Sequence, residues 1–277
     1  MKLALSLTTV TAALCVLLLA GCRNPLTDTA NYGAPATAPN AAPLTGEQIA
    51  SRILRSSAFG WDGAKSRVKM ILTKGGDRKE RVMDVLSRRK DGRGQTVIRF
   101  HAPPDVAGTA FLVLEQKDGG FEQYVYLPNL KRTRQIKARH REGSFLGSDF
   151  SYADMRRIAA SLSTHKRLPD DKIGDSGAFV VESTPKKGAK VPYAKLQVWV
   201  RKSDFIPLRT RFYGAGGELV KTLYARKVGK LDNRPAVLES LMENGTSGHS
   251  TLLVVESMER LDNLPDSAFT PTALEHP

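Results

Sequence analysis

Cysteine is almost absent from this 277-residue sequence, which carries only Cys15 and Cys22. So few thiols exclude a disulfide framework and a thiolate metal centre, and the fold must be held by packing alone. Enzyme signatures are missing too: there is no His-Glu-x-x-His and no glycine-rich phosphate loop. His101, His140, His165, His249 and His276 are scattered, none at ligand spacing with another, and each reads as a surface or loop residue. The run Gly143-Ser144-Phe145-Leu146-Gly147 is not a nucleophile elbow, which needs serine in the middle of Gly-x-Ser-x-Gly. No catalytic residue, metal or cofactor is expected, and a hydrolase is the weakest reading. Long apolar runs are lacking with one exception, residues 3–19 behind Lys2.

That exception, followed by Leu19-Ala20-Gly21-Cys22, reads as a secretory signal. The four residues resemble the lipobox of bacterial lipoproteins, in which cleavage precedes the cysteine and the cysteine is lipidated. The expected anchor is therefore Cys22, with residues 1–21 as the signal. An ordinary signal peptide or an uncleaved anchor is the alternative. Several acyl chains hold a protein stably where one holds it marginally. Residues 22–44 are rich in Ala, Pro, Thr and Asn and poor in large apolar groups, the composition of a flexible tether. Residues 45–277 suit one large all-β domain. Removing the signal takes one basic residue, Lys2, and no acidic one, so the formal charge falls only from +14 to +13. Nucleic acid is not an expected partner for so basic a chain, since the lipidated form lies outside the cytoplasm.

Within the domain, Thr45-Gly46-Glu47-Gln48 fits a capping box opening a short helix to about Ser57. The period then changes to two. Val68, Met70 and Leu72 alternate with Arg67, Lys69 and Ile71, and Gly75-Gly76-Asp77 turns the chain into a second strand over 81–88. Further strands are predicted over 96–101, 110–116, 123–127, 132–137, 178–183, 193–201, 207–213, 218–227, 236–243 and 250–259. A second helical insertion is expected over 152–162. The pattern predicts a mainly β fold, a curved antiparallel sheet forming an incomplete barrel covered by a few helices.

The densest segment runs from Tyr124 to Asp154. Tyr124 and Tyr126 share one face of a strand that Pro128 ends, and Lys131, Arg132 and Arg134 form a basic turn. Gly143 and Gly147 permit unusual backbone angles around Phe145, while Ser148-Asp149 can cap the next turn. Tyr126-Leu127-Pro128, Lys131-Arg132 and the run Gly143, Ser144, Gly147, Ser148, Asp149, Phe150, Ser151, Tyr152, Asp154 resemble the signature of the LolA-like outer-membrane lipoprotein-sorting family. Residues 103–109 are similar to that family's upstream loop. The resemblance implies a half-open barrel (LolA/LolB-like) whose apolar cavity takes acyl chains of lipids or lipoproteins. It also implies service to an exporter of the resistance-nodulation-division (RND) superfamily. An anchored member resembles the outer-membrane receptor or an accessory factor more than the soluble shuttle. Arg23, in place of the aspartate tied to inner-membrane retention in enteric bacteria, implies the outer membrane, facing the periplasm.

Two functions stay open at this point. In the first, alternate strand residues line an acyl-chain cavity, with Phe111, Val113, Tyr124, Tyr126, Val198 and Val200 as candidates. Taken singly, each is more often ordinary core. The motif loop (Gly143, Ser144, Gly147, Ser148, Asp149, Tyr152) would then be a hinge or lid, with Asp149 organising it among Arg132, Arg134 and Arg156. In the second, the chain is an accessory or scaffold subunit of an export complex without a ligand. Its basic run Lys131, Arg132, Arg134, Lys137, Arg139, Arg141 would dock an acidic partner or a membrane surface, unless it is simply a solvated loop.

Overall fold

The structure is a computed structural model describing residues 42–53, 63–118, 120–155, 160–189, 191–231 and 234–276. The signal, Cys22, Arg156 and the expected helix end at Ser57 lie outside these residues. Leu44, the last residue of the expected tether, packs beside Ile49 and accepts a hydrogen bond from Arg167 at 2.9 Å. The capping box forms as the sequence indicates. The Thr45 amide donates to Gln48 Oε1 at 2.9 Å, and the Gln48 amide to Thr45 Oγ1 at 3.2 Å. It opens the one α-helix among the described residues, α1 (Gly46–Ile53). Gly46 is required there, because a Cβ would stand 2.2 Å from the His165 carbonyl oxygen.

Thirteen strands follow. The first six are β1 (Gly63–Lys74), β2 (Asp77–Lys90), β3 (Arg93–Ala102), β4 (Ala110–Glu115), β5 (Phe121–Leu127) and β6 (Arg132–Gln135). The other seven are β7 (Ser163–Ile173), β8 (Ser176–Pro185), β9 (Lys195–Arg201), β10 (Pro207–Tyr213), β11 (Leu219–Leu231), β12 (Arg234–Asn244) and β13 (His249–Arg260). Twelve of these match strands predicted from the sequence. β7 does not, because its sequence is mostly polar and holds Pro169. As an edge strand it needs little apolar surface and tolerates the proline, at a register shift between Leu168 and Asp171. The insertion expected over 152–162 is present as two 3-10 turns, Tyr152–Met155 and Ala160–Leu162.

All thirteen strands form one sheet, in the order β6-β5-β4-β3-β2-β1-β13-β12-β11-β10-β9-β8-β7. The chain builds one wing outward from β1 to β6 and the other inward from β7 to β13, which pairs antiparallel with β1. The edges β6 and β7 are therefore consecutive in sequence yet lie at opposite ends of the sheet. The connection over 136–162 must travel between them. Curvature follows from where that connection touches. The Tyr152 ring lies 5.7 Å from Phe111 on β4, while Asp154, two residues on, bonds Lys221 on β11. In a flat sheet those strands, six steps apart, would be separated by about 29 Å. Two backbone steps cover only about 7 Å, well short of that even with the reach of the side chains. The sheet wraps around the crossing segment.

The inner face carries the main core, which takes Val68, Met83, Phe111, Leu196, Phe212 and Val255 from both wings into one cluster. Its far end is closed by α1, whose Ile49 and Ile53 pack on Val181, Val198 and Val200. On the outer face, a C-terminal strap over 261–276 lays Phe269 and Leu274 on Val97, Ala110 and Leu112.

Candidate functional site: the segment crossing the inner face

The crossing segment is apolar where it meets the sheet. Phe145 and Phe150 are buried, and the Phe145 ring stands 5.1 Å from Phe111 and 5.6 Å from Tyr152. Between the two phenylalanines the chain reverses tightly. The Phe145 amide donates to the Phe150 carbonyl at 2.7 Å, and Ser148 Oγ donates to the Phe145 carbonyl at 2.7 Å. Gly147 takes φ +78°, as the sequence suggests, but the other positive angle falls on Leu146, at φ +50°. Gly143 is not in that region; a Cβ there would meet the His140 carbonyl at 3.2 Å.

Two carboxylates fasten this turn to the sheet. Asp149 is not arranged with Arg132 and Arg134, which sit exposed on the edge strand β6. Its Oδ2 instead meets His249 Nδ1 at 2.5 Å and accepts from Thr251 Oγ1 at 2.7 Å, both on β13. Asp154 is more deeply placed, at 1% exposure, opposite Lys221 of β11 at 5%. Lys221 Nζ donates to Asp154 Oδ2 at 2.5 Å and to the Asp149 carbonyl at 3.2 Å. The Ser151 amide donates to Asp154 Oδ2 at 2.6 Å, and Tyr193 Oη to Oδ1 at 2.8 Å. Burial first, and then the charge of Asp154, push the Tyr193 phenol well above its ordinary range, so it stays a donor. On the opposite wing Gln123 Nε2 donates to the Tyr152 carbonyl at 2.5 Å, and Arg81 to that of Leu146.

The structure separates the sequence-derived cavity residues. Phe111 and Val113 do face inward, in the main core. Val198 and Val200 also face inward, in step with Leu196, but under α1. Tyr124 and Tyr126 do not join them. Tyr124 pairs with Leu112 and Tyr126 with Ala110, the alternate residues of β4, so both tyrosines belong to the outer face near Phe269 and Leu274. Alternation shows which residues share a face, but not which face is inner. Arg141 leaves the expected basic run as well. It stacks 4.0 Å over the Phe121 ring and donates to the Phe121 carbonyl at 3.0 Å. Two histidines depart from the surface reading. His165 is buried, with Nδ1 2.7 Å from Ser183 Oγ, and His249 holds Asp149. Sequence reasoning missed Lys221, Tyr193, His249 and Thr251 as site residues. A lysine among the apolar residues of a strand was the available signal at position 221.

A family model described only as that of an uncharacterized protein matches residues 92–276, about two thirds of the chain. Among solved structures, a putative outer membrane lipoprotein-sorting protein domain from Vibrio parahaemolyticus is 29% identical, with a TM-score of 0.78 over 83% of this chain and 98% of that one. The chain belongs to the LolA-like lipoprotein-sorting family. A DUF1329 family protein from Desulfovibrio piger superposes on this LolA-like chain with a TM-score of 0.79, at 26% identity over 83% of this chain and 97% of that one. A LolA superfamily protein from Nitrosomonas europaea, 22% identical, shares the fold at a TM-score of 0.67 over 82% of this chain and 98% of that one. No curated protein sequence matches. The matched span contains the crossing segment and both of its anchoring strands.

Proposed function

We propose that this LolA-like protein is a lipid-anchored carrier of the cell envelope. It binds acyl chains of a lipid or lipoprotein against the inner face of its sheet and assists their transfer to the outer membrane. The observation that carries this reading is the inner face itself, an apolar surface continuous across both wings and covered by a segment fastened through a few polar contacts. Apolar burial yields about 25 cal/mol per Å², so an acyl chain replacing the aromatic residues of the crossing segment would recover several kcal/mol. No bond need be made or broken. Similarity to a putative outer membrane lipoprotein-sorting domain supports an envelope address, and the Leu19-Ala20-Gly21-Cys22 run supports Cys22 as the anchor; an RND-type exporter is the partner this reading expects. Lipid extraction from the purified protein followed by mass spectrometry tests the reading. Recovery of a defined acyl species supports it; no lipid, together with no uptake of a fluorescent acyl probe, removes it. Cys22→Ser should abolish lipidation, and unchanged membrane fractionation with an unchanged N-terminal mass would refute the anchor.

The edge strand β6 favours a second activity. Lys131, Arg132 and Arg134 are exposed there beside Leu130, which is 52% exposed. A basic edge with one apolar residue suits contact with an anionic membrane surface or an acidic partner. In a scaffold subunit, this edge would be the working surface and the inner face merely core.

A further inference from the structure

Resting on the carrier reading above, we infer that the cargo is anionic, and that Lys221 is the residue that selects it. The crossing segment has the chemistry of an acylated anion. Its aromatic residues, Phe145 and Phe150, occupy the apolar surface, and the Asp154 carboxylate ends the array against Lys221. Of the groups that receive this carboxylate, the Ser151 amide moves with the crossing segment, but the two side chains, Lys221 and Tyr193, do not belong to it. Lys221 is on β11, in the middle of the sheet, and Tyr193 lies just before β9. They remain in place when the segment gives way to cargo.

The energetics then discriminate between cargoes. Lys221 is nearly inaccessible, lies between the rings of Tyr193 and Phe212, and has Asp154 as its close carboxylate partner. A neutral acyl chain that displaced Asp154 would leave an ammonium group buried without a counter-charge, the costly half of a broken ion pair. A chain ending in a carboxylate or phosphate would supply that charge and accept from Tyr193 Oη as Asp154 does. Asp154 acts as an internal competitor that keeps the site neutral when no cargo is present.

The test uses dansylated undecanoic acid and its primary amide, two fluorescent probes of equal shape that differ by one charge. Wild-type protein should bind the acid more tightly by about tenfold or more, the scale of a buried charge pair. The double variant Lys221→Met/Asp154→Leu removes both charges together, so the fold, checked by circular dichroism, is not left with an unpaired group. It should bind acid and amide alike. Equal binding of both probes by the wild type would overturn the inference while leaving the carrier reading intact. Retention of acid preference in the double variant would also overturn it, by assigning selection to another cation. Binding of neither probe by any form would remove the carrier reading and this inference with it.

Discussion

Two segments cross the sheet of this protein, and they are held in different ways. The inner crossing over 136–162 joins the two edges and is fastened by side-chain carboxylates to a buried lysine, a histidine and a threonine. The outer strap over 261–276 is held by Phe269 and Leu274, and by arginines that bond its backbone. Arg99 donates to the carbonyls of Leu274, Ala273 and His276 at 3.1, 3.0 and 3.1 Å. Arg88 donates to the Leu264 carbonyl at 2.6 Å and lies 4.4 Å from the Phe269 ring. Buried ion pairs are poor stabilisers compared with apolar packing of the same volume, but they are demanding about partner and geometry. On the strap the balance shifts to apolar packing and backbone-directed arginines, and its ion-paired carboxylates, Asp262 and Asp266, are exposed where Asp154 is buried. On the carrier reading proposed above, the outer face stays covered while the cover of the inner face can be exchanged for something of matching charge.

Breaking the inner fastening alone should have the largest effect. Asp154→Leu leaves Lys221 buried and unpaired and should cost about 3–5 kcal/mol in urea unfolding. Adding Lys221→Met should restore most of that loss. If the double variant is as unstable as the single, the pair is not coupled and the contrast with the strap fails. Phe150→Ala, which empties a fully buried site, belongs in a similar range of about 3–5 kcal/mol. Phe269→Ala on the strap provides the matched outer measurement, and only the inner substitution should change acyl-probe binding.

Asp149→Ala should follow, at about 1–3 kcal/mol, because His249 and Thr251 lose a partly buried acceptor. Wild-type stability and wild-type export in that variant would take Asp149 out of the site. A smaller effect separates the two segments by pH. Hydrogen bonds from Lys90 and Arg88 hold the Asp266 carboxyl below its usual value of 3.8. Its contribution to holding the strap is therefore fully present above pH 3.8 and is lost as pH falls through the lowered value. Hydrogen exchange of strap amides should quicken over that acid range, and Asp266→Asn should remove the change. Least disturbing to the fold are Lys131→Ala and Arg132→Ala on the exposed edge, expected within about 0.5 kcal/mol of wild type. They should spare acyl binding and weaken adsorption to anionic vesicles, a measurement that separates the edge from the inner face.

Much of the fold could be read from local pattern. The Thr45–Gln48 box opens the helix where the sequence indicates, and the alternation of Val68, Met70 and Leu72 marks β1. β7 was not legible because only part of it is buried. In an edge strand the ladder, more than the side chains, supplies the pairing. Of the site, the motif from Gly143 to Asp154 was visible, but the residues that complete it were not. Tyr193, Lys221, His249 and Thr251 lie 39 to 102 residues from the carboxylates they meet.

The sequence by itself determined the β content, the turns, the capped helix and the glycine-serine-aspartate reversal, because each depends on neighbours a few residues away. Only the tertiary structure decided that Tyr124 and Tyr126 face outward while Phe111 and Val113 face inward, since alternation is the same for either side of a sheet. It also decided the partners of Asp149 and Asp154. Pairing β13 with β1 places the two edges at opposite ends, and the chain that joins them has to cross the inner face, where β11 and β13 present a lysine and a histidine to its carboxylates.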